Sequence, residues 1–98
     1  MKDLIEKVEQ WAKDRGIDKP GNSGNQLLKT LEELGEVSRG LLRDDREAIL
    51  DGIGDVLVTL IIFSKQQGTD LETCLKIAYN EIKDRTGKTK DGIFVKDE

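Results

Sequence analysis

The block Val56–Phe63, reading VLVTLIIF, constrains the fold more than any other stretch of the chain. Its β-branched residues would suit a strand by local preference. On either side, however, Leu50, Ile53, Val56, Leu57, Leu60 and Ile61 recur at helical spacing with no turn signal between them. The periodicity therefore predicts a buried central helix running from a cap at Asp44 or Asp45 to about Gly68, with Glu47 three residues after Asp44. Val56, Leu57, Val58, Leu60, Ile61, Ile62 and Phe63 point in nearly every direction around such a helix. A helix apolar all round must be covered all round.

Three further helices are readable. Leu4, Ile5, Val8, Trp11 and Ala12 mark a first helix from Asp3 to about Arg15, ended by Gly16. Gly16 to Asn25 holds the chain's one proline, Pro20, and reads as a loop. Ser23 with Gln26 fits a capping box, after which Leu27, Leu28, Leu31, Leu34, Val37 and Leu41 define a second helix to about Arg43. Thr69 with Glu72 fits another box, opening a fourth helix through Leu71, Leu75, Ile77, Ala78 and Ile82 to about Thr86. The tail KTKDGIFVKDE has no helical period and is expected to be extended. The expected architecture is all-α, a four-helix bundle-like single domain over residues 1–98 with a short extended C-terminal tail. The first, second and fourth helices are short and carry broad polar faces, so cover for the central helix must come from a partner. A homodimer is the first expectation and a homotetramer of two dimers the next.

Composition excludes several functions. The 98 residues include no histidine, which removes Ser/His and Cys/His catalytic pairs and leaves oxygen ligands for any metal. Cys74 is alone, so no internal disulfide forms, and its apolar-periodic position suits a packed thiol. A net charge of −4 gives no basis for gripping polymeric nucleic acid. The charged N-terminus and the short apolar block lead us to expect a cytoplasmic protein with no membrane partner.

The chemistry concentrates in KTLEELGEVSRG and DGIGD. Glu33 and Glu36 are neighbours on one helix face, as are Asp51 and Asp55 on the next helix. A short turn near Asp44 folds the two helices antiparallel, with both pairs roughly 14 Å from the turn at 1.5 Å per residue. Four carboxylates brought together repel one another, and a hard divalent cation resolves the conflict. Gly52 and Gly54 weaken the helix beside these positions, which suggests close approach by a helix or a ligand. Solvated acidic faces are the competing reading.

These residues resemble the MazG family of all-α nucleoside triphosphate pyrophosphohydrolases, relatives of dimeric dUTPases and phosphoribosyl-ATP pyrophosphohydrolases. The similarity runs from about Gln26 to the end and is closest to short single-domain forms of phage and Firmicutes type. EELGE, Glu32–Glu36, matches the family's EExxE and implies Glu33 and Glu36 as metal ligands, with Glu32 orienting them. The family's ExxD is met only by Asp55, because Gly52 stands where its glutamate falls; Asp51, one residue earlier, is the substitute ligand. AYNEIKDRTGK resembles the family's Asn-and-basic segment and implies that Asn80, Lys83 and Arg85 face the phosphates, with Lys29 doing likewise.

The resemblance implies hydrolysis of a nucleoside triphosphate to monophosphate and pyrophosphate, with magnesium, or alternatively manganese, held by Glu33, Glu36, Asp51 and Asp55. Either Glu32 or Glu33 takes the proton from the attacking water. Trp11, Tyr79 and Phe94 are candidates for base stacking, Trp11 being also a candidate for the core. Two other readings stand beside this one: a non-enzymatic acidic helical interaction module, and a dUTP- or phosphoribosyl-ATP-specific hydrolase with the same metal chemistry.

Overall fold

The computed structural model of the chain describes residues 1–97 and contains four helices followed by a two-stranded sheet. These are α1 (Lys2–Asp14), α2 (Ser23–Leu42), α3 (Arg46–Gln66), α4 (Leu71–Ile82), β1 (Gly87–Lys90) and β2 (Ile93–Lys96). A single 3-10 turn, Pro20–Asn22, leads into α2. The block Val56–Phe63 is helical throughout.

The first three helices end in the same way. Gly16, Asp44 and Gly68 adopt positive φ (67°, 53° and 76°). In each case the next amide bonds back over the left-handed residue, Ile17 to Ala12, Asp45 to Gly40 and Thr69 to Ser64. Glycine takes this conformation without strain and Asp tolerates it, so the stops are written locally. At the starts, Asp45, one of the two expected caps, caps α3 by accepting the Ala48 amide at 3.1 Å. Asp70, rather than Thr69, caps α4 by accepting the Thr73 amide at 2.7 Å. Ser23 lies inside α2, so the Ser23–Gln26 box does not form. Both side chains instead tie α2 to α3: Gln67 Nε2 donates to Ser23 Oγ at 2.8 Å, and Gln26 Nε2 donates to the Thr59 carbonyl at 3.2 Å.

The α2–α3 pair forms the body of the molecule. Gly40 meets Ala48 and Ile49, Val37 meets Gly52, and Ser23 meets Gln67, so the helices run antiparallel. A Cβ at Gly40 would lie 3.3 Å from the Ala48 Cβ, and one at Gly52 only 2.6 Å from Val37 Cγ2. The close approach expected at Gly52 is thus an approach to α2, while Gly54 has open space around it. Helix α1 packs on α3 through the buried Ala12, and the buried Gln66 donates from Nε2 to the Ile17 carbonyl at 2.8 Å, fastening the α1–α2 loop.

The fourth helix departs from a bundle. Leu71 is half-buried, but every residue from Glu72 to Ile82 is exposed. Cys74, expected to be packed, is exposed with it. Trp11 is exposed too, with the Arg15 guanidinium 4.2 Å from its ring centroid. Among the described residues only Ala12, Ile61 and Ile62 are buried apolar side chains. Folded monomers of 11.0 kDa expose about 5600 Å², whereas this chain exposes 7701 Å². Its radius of gyration is 15.9 Å against about 13 Å for a compact domain of this length. No helix among the described residues is long and apolar enough to cross a membrane.

The extended tail is an antiparallel hairpin pairing Gly87 with Lys96, Lys88 with Val95, Thr89 with Phe94 and Lys90 with Ile93. Asp91 and Gly92, with φ of 51° and 77°, make its two-residue turn. Gly87 is required, because a side chain there would run into the Val95 carbonyl and the Phe94 ring. The Thr86 hydroxyl and carbonyl both bond Asp97 across the open end. The last tail residue, Glu98, lies outside the described residues.

Two outcomes follow from the helices. Gly52→Ala should destabilise by about 1–3 kcal/mol through overpacking against Val37, whereas Gly54→Ala should be neutral or stabilise by up to about 1 kcal/mol; urea unfolding of the pair measures both. The second concerns acid. The Thr73 amide bonded to Asp70 holds its carboxyl below the usual carboxylate range. A carboxylate depressed in this way stabilises α4 above the unfolded-state value near about 4, and that contribution is lost as pH falls through the folded value. The protection factors of α4 amides, exchange rates corrected for their intrinsic pH dependence, should therefore fall on acidification, and less steeply in Asp70→Asn, which keeps a cap but does not titrate.

Candidate active site on the acidic helix pair

Because Val37 faces α3, Glu33 four residues earlier faces it too. Because Gly52 faces α2, Asp55 three residues later also does. The register places Glu33 and Glu36 level with residues 53–56, so Glu33 and Asp55 share one level of the seam. Both are half-buried, with 15% of the Glu33 side chain exposed. A carboxylate so placed needs a donor or a cation. Lys29, one turn before Glu33, serves now: its Nζ stands 3.5 Å from Oε1 of both Glu32 and Glu33. The Glu32 charge first, then the hydrogen bond and charge of Glu33, push the lysine above its ordinary value.

Glu36 and Asp51 stand differently. Glu36 is exposed and its carboxylate is paired with Arg39, one turn further on. Asp51 is exposed beside Gly52. Among the described residues no three acidic side chains form a group that could hold a metal ion, so the expected convergence of all four is not met in this arrangement. The physical reason is that basic residues within α2 satisfy two of them. Arg39 was missed in the sequence, although its i+3 spacing from Glu36 was the available signal. Gly52 also explains the broken ExxD pattern: with Val37 against it, there is no room for a glutamate at that position.

The phosphate-facing group is divided. Lys29 belongs to the carboxylate site. Asn80, Lys83 and Arg85 are exposed at and beyond the end of α4. That helix packs on α3 but makes no comparable contact with α2, and the structure does not join these residues to Glu33 and Asp55 within one chain. Tyr79 and Phe94 are exposed on the same arm.

An antiparallel helix pair with a carboxylate from each helix at one level defines an acidic, oxygen-donor site in an all-helical body. The profile of the MazG nucleotide pyrophosphohydrolase domain matches residues 23–89, spanning both acidic helices, α4 and most of β1, and the chain belongs to that family. Among curated proteins it is similar to an uncharacterised 18.2 kDa protein from the rep-hol intergenic region of Haemophilus phage HP1, with 36% identity over 70 residues. That alignment covers 71% of this chain and 43% of the phage protein, so the chain spans less than half of its relative. No solved structure gives a significant match.

Proposed function

We propose that the chain hydrolyses nucleoside or deoxynucleoside triphosphates to the monophosphate and pyrophosphate, in a magnesium-dependent reaction, as part of nucleotide-pool housekeeping in the cytoplasm. The observation that carries this reading is the family match across the two helices that hold Glu33 and Asp55 at one level. The donors present fit such a cation: they are hard oxygens, two of them are half-buried, and Glu36 lies one turn from Glu33 where rotation away from Arg39 brings it to the seam. Glu33, Glu36 and Asp55 would hold the ion, with Asp51 completing the set. Bound magnesium would offset phosphate charge and lower the pKa of the attacking water.

The remaining steps belong to side chains. Glu32 or Glu33 takes the proton as water attacks the α-phosphorus. Lys29, already among these carboxylates, turns to the phosphates once the cation neutralises its present partners. Asn80, Lys83 and Arg85 bind the leaving pyrophosphate with charge-assisted hydrogen bonds. Selectivity for dUTP or phosphoribosyl-ATP would use the same chemistry, and a panel of nucleotides assayed for pyrophosphate release distinguishes them.

The surface also supports a partner subunit. The surplus over a monomer is about 2100 Å², the scale that subunits of obligate oligomers bury. Leu27, Leu31, Leu34 and Leu41 contribute to it at spacings of four, three and seven residues along one helix face, Leu31 being 60% exposed. A two-fold dimer, or a tetramer of two dimers, covers this face. Light scattering should give at least twice the 11.0 kDa chain mass at micromolar concentration; an active species of single-chain mass would contradict it.

Glu36→Gln and Asp55→Asn should each abolish magnesium-dependent pyrophosphate release with the fold retained, and unaltered turnover would remove that residue from the ligand set. Asp51→Asn should weaken magnesium affinity, measured by calorimetry. In the unmodified protein, magnesium should raise the melting temperature by mass action. A melting temperature indifferent to magnesium would favour the solvated acidic module instead.

A further inference from the structure

The expected site is split within one chain, and its basic half continues past α4 into the hairpin. Residues 83–98 carry Lys83, Arg85, Lys88, Lys90 and Lys96 against Asp84, Asp91, Asp97 and Glu98, and the basic residues gather on and just before the hairpin's first strand in a chain whose net charge is −4. Pairing of Lys88 with Val95 and Lys90 with Ile93 puts these four on one face of the sheet, alternating with the pairs Gly87–Lys96 and Thr89–Phe94. Ile93 and Val95 are exposed, and neither strand packs substantially on a helix. A lone two-stranded hairpin is marginal in water, so a face that joins two lysines to two uncovered β-branched side chains calls for a surface of matching character. The body of the same molecule presents one: the carboxylates of Glu32, Glu33, Glu36 and Asp55, bordered on one side by the exposed Leu34 with Leu31 one turn before it. The hairpin is not packed against that surface in its own chain.

We propose that the hairpin of one copy docks on the α2–α3 face of a second copy, with Ile93 and Val95 against its leucines and Lys88 and Lys90 beside its carboxylates, where they position the substrate's phosphates. The nucleotide site is then completed between subunits. Charge complementarity, the uncovered hairpin face and the surplus surface all favour a second copy as the occupant. The phosphate role of the two lysines rests on the hydrolase reading above, whereas the docking contact does not.

Zero-length carbodiimide cross-linking of the unmodified protein at micromolar concentration tests the contact without an activity assay. The dimer band on a denaturing gel should contain peptides joining Lys88 or Lys90 to a carboxylate of α2 or α3. Finding that linkage solely in the monomer band, or in neither band, would overturn the proposal. For the role, Lys88→Ala/Lys90→Ala should raise KM for the triphosphate about tenfold with a smaller change in kcat. At substrate well below KM, where the double variant alone runs at about a tenth of unmodified activity, its co-expression with Glu36→Gln should give about a quarter, because half of randomly paired dimers have one intact site of two. An unchanged KM, or no recovery in mixed dimers, would overturn the lysines' role in trans. A cross-link present in a protein that hydrolyses no triphosphate would contradict the hydrolase reading and leave the docking contact standing.

Discussion

Two helices approach only as closely as the side chains between them allow, and here the approach is set by hydrogen atoms. Gly40 lies against Ala48 and Ile49, and Gly52 against Val37 at a separation that leaves no space for a methyl group. These contacts fix the register of α2 on α3, and with it the level that Glu33 and Asp55 share. Gln26, Ser23 and Gln67 hold the far end of the pair with polar contacts, so the register is set at both ends. The glycine that breaks the family's ExxD pattern is therefore part of the packing that aligns the other carboxylates. A close helix contact occupies this position, with Asp51 next to it on the outer side.

Electrostatics then decides what the seam can do. Two half-buried carboxylates and a neighbouring glutamate pair concentrate negative charge that water screens poorly. In the chain alone, Lys29 and Arg39 answer it from within α2. Both are long, exposed, flexible side chains, and ion pairs so exposed are weak. In the function proposed above, a small divalent cation would replace them and leave two positive groups for phosphate. Lys83, Arg85, Lys88 and Lys90 stand away from this seam, on an arm that α4 carries outward.

Much of this was legible in the sequence. Helical periodicity outweighed the β-rich composition of Val56–Phe63, because a helix of this length is specified by its flanks as well as its centre. The stops at Gly16 and Gly68 were readable, since the left-handed conformation they require is local. Asp45 was one of the two expected caps of α3, but the starts of α2 and α4 were misjudged by one residue, because Ser23, Thr69 and Asp70 all offer suitable oxygen acceptors. Burial was the least legible property. Trp11 and Cys74 sit at apolar-periodic positions, and period alone reports a face without saying what covers it. The hairpin left a usable signal, Asp91–Gly92 between GKTK and IFVK, but its short strands lack the clean alternation of a sheet packed on a core. At the site, periodicity gave the faces of Glu33 and Asp55 correctly. It could not weigh the intrahelical pairs that turn Glu36 and Lys29 to other partners.

In the proposed function the α2–α3 seam directs water to the α-phosphorus of a nucleoside triphosphate. Hydrolysis in heavy-oxygen water, with the label located by mass spectrometry, checks this point of attack. The label is expected in the nucleoside monophosphate, with unlabelled pyrophosphate released. Label in the pyrophosphate, or release of orthophosphate in its place, would contradict it.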